Sequence, residues 1–181
     1  MKLLERLSEK KHSIVIAGSH IGFTVLESAH KTNGRVYAFE PVQNLFERSK
    51  ENIELNPALS KKITLEKSAL GNSDSTVTMY VENIRSSIIP YSKNHVASRT
   101  EEVPMVSLDT YASRNTISGF DLMLLDIEGY ELFALDGAKE LLKQKPDLIL
   151  EVSPRVLSKI HDSSDALFAF LNSHGYTIYI I

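Results

Sequence analysis

Val36-Tyr37-Ala38-Phe39-Glu40-Pro41 is the stretch whose reading decides the fold: a β-branched and aromatic run ends in a carboxylate, eighteen residues after the turn Gly18-Ser19-His20-Ile21-Gly22. In a parallel α/β sheet the turn after the first strand lets a ligand approach the backbone. An acid at the tip of the second strand accepts hydrogen bonds from ribose hydroxyls. The pair therefore marks a nucleotide-type cofactor site. The spacing is G-x-x-x-G, not the G-x-G-x-x-G of many dinucleotide sites, which argues against a pyrophosphate cradle and against a nicotinamide enzyme. Glu40 also suits the N-terminus of a following helix, where a carboxylate favours the helix dipole.

Outward from this pair, apolar runs rich in β-branched residues recur and predict strands over 14–17, 35–39, 63–67, 76–81, 122–126, 147–152 and 177–181. Helical faces lie between several of them: Ile21, Val25 and Ala29; Val42, Leu45, Phe46, Ser49 and Ile53; Leu132, Leu135, Ala138 and Leu142. The alternation predicts an α/β fold, a mostly parallel sheet with helices on both faces, because strands buried on both sides must be covered twice. Leu122-Met123-Leu124-Leu125 is continuously apolar, as a central strand should be. The run 76–81 reads as an edge strand or hairpin arm. Residues 82–103 are polar and read as a long irregular excursion, a lid or substrate loop. A short helix is expected within 1–12, and no linker composition divides the chain, so 1–181 reads as one domain.

Composition narrows the classes. With 181 residues, 43% apolar, the chain is long enough to bury roughly 70% of its unfolded surface in one core. Twenty basic and 23 acidic residues, with no Lys or Arg run longer than two, argue against a nucleic-acid partner. The absence of cysteine excludes disulfides, thiolate nucleophiles and thiolate metal sites. No segment has the apolar length of a signal peptide or membrane span, and a cytoplasmic location is expected.

The densest acidic cluster is Asp126-Ile127-Glu128-Gly129-Tyr130-Glu131, directly after the central strand. Asp126 and Glu128 fall on one side of an extended segment. Two such acids suit a divalent cation, a general base, or an anchor for a cofactor ammonium or a substrate hydroxyl. Glu131, in the first turn of the next helix, reads as structural. Glu151 sits inside another apolar strand, 147–152, where an acid is costly unless paired or at the ligand edge, and is a secondary candidate. The histidines are dispersed without a metal-ligand spacing; His20 and His95 are the catalytic candidates among them.

Taken in order, these pieces resemble the FkbM-type methyltransferases, a branch of the class I S-adenosylmethionine-dependent enzymes. The likeness runs through Gly18-Ser19-His20-Ile21-Gly22-Phe23-Thr24, Glu40-Pro41, Asn52-Ile53-Glu54-Leu55-Asn56, Ser68-Ala69-Leu70-Gly71, Ser107-Leu108-Asp109, Leu125-Asp126-Ile127-Glu128-Gly129-Tyr130-Glu131 and Pro146-Asp147 through Glu151-Val152. The resemblance implies a Rossmann-like class I methyltransferase fold whose seven-strand sheet ends in an antiparallel C-terminal edge strand. It also implies methyl transfer from S-adenosylmethionine, usually to oxygen, on a small hydroxylated metabolite or glycan. In this reading the cofactor is bound by Gly18, Ser19, His20, Gly22, Glu40, Pro41, Ser68, Ala69 and Asp126, with Asp126, Glu128 and His95 catalytic and no metal assigned. Where the family carries an acid two residues before the first glycine, this chain has Ile16, and His20 stands where an asparagine is common. Ile16 leaves a second expectation open: a methyltransferase-fold protein that binds a nucleoside ligand or a protein partner without catalysis. The short N-terminal stretch and the end at Ile181 are expected to mark a minimal member or a chain lacking part of the substrate cap.

Overall fold

The computed structural model describes residues 2–82, 85–90, 98–153 and 164–180. Along the chain come α1 (Lys2–Ser8), β1 (Ser13–Ala17), α2 (Phe23–Lys31), β2 (Arg35–Phe39), α3 (Gln43–Glu54), α4 (Pro57–Ser60), β3 (Ile63–Glu66), β4 (Ala69–Gly71), β5 (Ser75–Glu82), β6 (Arg85–Ser87), β7 (Arg99–Ser107), α5 (Leu108–Arg114), β8 (Leu122–Leu125), α6 (Glu131–Asp136), α7 (Lys139–Leu142), β9 (Asp147–Leu150) and a C-terminal helix, Ser164–Ser173.

Five strands form a wholly parallel sheet in the order β3-β2-β1-β8-β9. Side-chain alternation divides β1 between two cores. Ile14 and Ile16 join Val25, Ala29, Val36 and Ile53 on one face, while Val15 and Ala17 join Phe39, Met123, Leu125 and Leu135 on the other. This double burial is why β1 and β8 read as continuous apolar runs. The chain builds outward from β1 to β3, then returns to β8 on the other side of β1. Strand order thus reverses between β1 and β8, and the crevice beyond their carboxyl ends is where such sheets bind ligands.

A second sheet has the order β4-β7-β5-β6, with β4 and β7 parallel and the β5–β7 and β5–β6 pairs antiparallel. Met79, Val81, Val103 and Met105 on its inner face pack with Val42 and Leu45 near the start of α3. The run 76–81 is therefore a hairpin arm, extended to 75–82. Within 82–103, expected as irregular, residues 85–87 and 99–103 are strand. The polar outer face of β7, where exposed Glu102 and Pro104 alternate with buried Val103 and Met105, hides its period from a composition reading. Residues 91–97 lie outside the described residues.

Residues 177–180, expected in the antiparallel edge strand, pair with no strand among the described residues. Ile178 packs against the core, but Tyr179 and Ile180 are 83% and 90% exposed, so little apolar burial holds the end of the segment. Antiparallel pairing is found instead in the second sheet. Ser107-Leu108-Asp109 acts as a corner. The Ser107 side chain accepts from the Thr110 amide at the start of α5, and the Asp109 carboxylate accepts from the amides of Glu140 (3.0 Å) and Leu141 (3.1 Å) in α7. Among the described residues, no helix is long and apolar enough to cross a membrane.

Candidate active site

Three strand ends converge on the reversal point. The register pairs Ala17 with Leu125, so Gly18 and Asp126 follow side by side, and the Asp126 amide donates to the Ala17 carbonyl at 3.1 Å. The amides of Gly18 and Ser19 both donate to the Phe39 carbonyl at 3.1 Å, which draws the turn across the tip of β2. Gly18 has φ +77°, and a Cβ there would lie 1.9 Å from the Asp126 carbonyl oxygen, so only glycine permits this crossing. Gly22, with φ +87°, starts α2 where a Cβ would meet Ser49 of α3 at 2.7 Å.

Glu40 closes the turn from the β2 side. One carboxylate oxygen accepts from the His20 amide at 2.8 Å, holding His20 at φ +51°, and the other accepts from the Val42 amide at 3.0 Å, where α3 begins. Both readings of Glu40 thus coincide: it serves the helix start and faces the crevice. Each oxygen keeps a further lone pair for a ligand. The side chain is 3% exposed. Burial pushes its pKa up to about 7; the two amide hydrogen bonds oppose the shift and the charge of Glu101 adds to it.

Beyond these strand ends lies a cleft that, counted with the solvent at its open mouth, spans about 430 Å³. Of the residues expected at a cofactor, Gly18, Glu40, Pro41, Ser68, Ala69 and Asp126 line it; Ser19, His20 and Gly22 shape the turn behind the wall. Ser19 is 2% exposed, and its hydroxyl has no partner among the described residues. His95 lies outside the described residues. Met79 of β5, Ser86 and Ile88 of the β6 segment, and Tyr130, which stacks on Phe133 at 4.5 Å, complete the opposite wall. None of these four was a site candidate in the sequence. Ser86 and Ile88 belong to the segment read as a lid; Met79 and Tyr130 carry no signal beyond their neighbours.

The signature turn after β8 is held from inside. Glu131 is 0% exposed, and one of its oxygens accepts from the amides of Ile127 (3.1 Å) and Gly129 (3.2 Å). This clamp sustains left-handed backbone at Glu128, φ +54°, and Gly129, φ +94°. The other Glu131 oxygen has no partner among the described residues, and burial raises the group's pKa. From outside, the buried Ser87 hydroxyl donates to the Glu128 carbonyl at 3.1 Å and accepts from the Ile89 amide at 3.0 Å. Glu128 borders the cleft without lining it.

Asp126 is reached by solvent through the mouth of the cleft but has protein on its inner side. That partial desolvation, then the neighbouring carboxyl of Glu151 and the negative charges of Glu128 and Glu131, pushes its pKa up to about 7. Among the described residues, no group of three or more His, Asp or Glu side chains is arranged to hold a metal ion. Ile16, where an acid was looked for, is 1% exposed and points into the core rather than toward the turn.

Residues 17–178 match the family model of the methyltransferase FkbM domain. No curated protein matches the chain significantly. Among solved structures, the fold is similar to methyltransferase FkbM from Methylobacillus flagellatus KT, at 21% identity and a TM-score of 0.61, over 90% of this chain and 37% of that one. It is also similar to precorrin-6y C5,15-methyltransferase from Geobacter metallireducens GS-15, at 14% identity and a TM-score of 0.58, over 99% of this chain and 72% of that one. A third likeness is magnesium protoporphyrin IX methyltransferase from Synechocystis PCC 6803 with bound SAM, at 12% identity and a TM-score of 0.53, over 99% and 68% of the two chains. The chain thus spans little more than a third of the FkbM structure it matches.

Proposed function

The chain belongs to the FkbM methyltransferase domain family, and from that premise we propose that it transfers a methyl group from S-adenosylmethionine to a hydroxyl oxygen of a small metabolite or glycan. One observation carries this reading: Gly18, Glu40 and Asp126, from three strand ends, border a single cleft at the point where strand order reverses.

The residues present fit the cofactor. Glu40 offers two carboxylate lone pairs beyond those taken by backbone amides, a match for vicinal ribose hydroxyls. Leu70, Met79 and Ile88, beside Ser68 and Ala69, give apolar wall for a purine. The Gly18 turn brings bare backbone to the ligand, and the unpartnered Ser19 hydroxyl lies directly behind it. With Ile16 buried, the acid that remains for the ammonium group is Asp126. When bound, the cofactor supplies a methyl carbon on positively charged sulfur, and transfer leaves the carbon–sulfur electron pair on the sulfur. The chain's part is alignment of the acceptor and custody of its proton.

A second reading, ligand or partner binding without turnover, is favoured by Ile16 alone. Calorimetric titration with S-adenosylmethionine, S-adenosylhomocysteine and NAD separates the possibilities. Binding of both adenosyl ligands at micromolar concentration is expected. Absence of heat for either at high micromolar concentration rules out the methyltransferase reading, and heat for NAD alone restores a nicotinamide enzyme. Turnover of any hydroxylated acceptor in a panel excludes the non-catalytic reading.

A further inference from the structure

We infer that Glu101 of β7 is a positioning residue for cofactor binding that acts through Glu40: it takes the next amide at the start of α3 and so leaves the Glu40 carboxylate aimed into the cleft. The inference rests on the methyltransferase reading for its ligand, and it names the part of the second sheet on which the ribose acid of that reading depends.

The need for Glu101 begins in the sequence around α3. A helix start leaves backbone amides that a Ser, Thr, Asp or Asn at the cap position ordinarily satisfies. Here the cap position is Val42, whose side chain has no oxygen to offer. The acceptors come from other elements instead. Glu40, beyond the tip of β2, accepts from the Val42 amide at 3.0 Å, and Glu101 accepts from the Gln43 amide at 3.0 Å. Two carboxylates that serve consecutive amides stand side by side at one helix end.

Glu101 is also out of pattern on its own strand. Glu101, Val103 and Met105 share the inner face of β7, and the register sets Glu101 opposite Met79, which lines the cleft. Val103 and Met105 are buried in the apolar cluster beneath that face, so an acid two residues earlier breaks an apolar stripe. Its side chain is 20% exposed and is held at both oxygens. One accepts from the Gln43 amide; the other pairs with Arg99 at 2.6 Å, and the same guanidinium nitrogen donates to the Asn44 side chain of α3 at 2.6 Å. The second sheet is thereby pinned to the first turn of α3 beside Glu40.

That pinning decides what Glu40 is free to do. Its two oxygens already accept from the His20 and Val42 amides. Without Glu101 the Gln43 amide competes for the same carboxylate, and an oxygen that turns to it gives up a lone pair that the ribose hydroxyls need. Glu101 acts by charge as well: burial is the main reason that Glu40 holds its proton tightly, and the negative charge of Glu101 adds to it. The other charged or titratable groups on the elements around Glu40 are His20 on the turn after β1, Asp126 after β8, Glu47 on α3, and Glu66 and Lys67 at the end of β3. Of these, Glu66 accepts from the Tyr111 hydroxyl at 3.0 Å, and Glu47 and Lys67 are both hydrogen-bonded to the Gln43 side chain.

Calorimetric titration of the full chain with S-adenosylhomocysteine across a pH series tests the inference. Glu101→Gln keeps an oxygen for the Gln43 amide and removes the charge, whereas Glu101→Ala removes both. At pH 8, Glu101→Gln is expected to bind within about twofold of the wild-type chain and Glu101→Ala about three- to tenfold more weakly. The pH at which affinity is half lost should fall by about half a unit in Glu101→Gln, because Glu40 without that neighbouring charge stays ionised to lower pH. In a Glu40→Gln background the change Glu101→Gln should move neither the Kd nor its pH dependence. A residue that only held the sheet to the helix would leave the midpoint of a folded Glu101→Gln chain where it was, and that result overturns the inference. Wild-type affinity in Glu101→Ala at pH 8 overturns it as well, and so does an effect of Glu101→Gln that persists in the Glu40→Gln background. Adenosyl binding with an unmoved midpoint refutes this inference alone, whereas absence of binding at every pH refutes the methyltransferase reading on which it rests.

Discussion

At Gly18 a positive φ and a carbonyl where a Cβ would stand act together. Gly18→Ala adds left-handed strain of about 1–2 kcal/mol and overpacking of about 1–3 kcal/mol, so a loss near 3 kcal/mol is expected in urea unfolding. Glu40 sets a different kind of test. Its folded pKa, about 7, lies above the ordinary carboxylate value, so the native state holds the proton more tightly than the unfolded chain. Its contribution to ligand-free stability is present in full below about pH 4.5 and is lost as pH rises to 7, roughly 3 kcal/mol in all. Asp126 adds the same sign; the flattening of the stability–pH curve in Glu40→Gln isolates the share of Glu40. Ribose hydroxyls donate to the ionised form, so cofactor affinity should weaken as pH falls below 7, and Glu40→Ala should weaken it ten- to a hundredfold at pH 8 by calorimetry. Glu40 and Gly18 were legible in the sequence because strand tips bring their chemistry to one place at a fixed spacing. The clamp made by Glu131 was not legible: it depends on a left-handed backbone at Glu128 that residue order does not announce.

Among the elements, β1, β2 and β8 were legible because burial on both faces leaves runs with few competing readings, and β9, only partly buried, was legible from its apolar run Leu148-Ile149-Leu150. The second sheet was only half legible. β4 is three residues long, and Gly71 within it makes room for Met105 of β7, whose sulfur would lie 2.2 Å from a Cβ there. Such a strand is defined by its partner rather than by its own pattern. The β6 segment pairs with β5 and is tied to the turn after β8 by the Ser87 hydroxyl, which lies between the Glu128 carbonyl and the Ile89 amide. Ser87→Ala removes that partner from the buried Ile89 amide and from the part-buried Glu128 carbonyl, which costs about 1–3 kcal/mol locally. Because Ser86 and Ile88 form one wall of the cleft, faster amide exchange over 85–90 is expected, with several-fold weaker cofactor binding and unchanged exchange in β1. Equal acceleration in β1 and β6 would mean that Ser87 supports the whole fold rather than the wall.

Across the whole molecule, the cleft is the place where the two sheets face each other. Gly18, Glu40 and Asp126 come from strand ends of the parallel sheet, while Met79 and the β6 segment come from the mixed one. Apart from the cleft, Leu70 of β4 and Val106 of β7 pack into the core of Val15, Phe39 and Met123 from the parallel sheet, and Met79, Val103 and Met105 pack with Val42 and Leu45 near the start of α3. A ligand seated between them binds only the assembled state, and at a hundred times its Kd contributes about 2.7 kcal/mol to the stability of the fold. For a domain of this size that corresponds to a rise in Tm of about 5–10 °C. S-adenosylhomocysteine is therefore expected to shift the melting transition by that amount as one cooperative step, with the shift reduced in Glu40→Ala at the same ligand concentration. Two transitions, only one of them moved by ligand, would show that the sheets unfold independently and that the ligand rests on one wall alone.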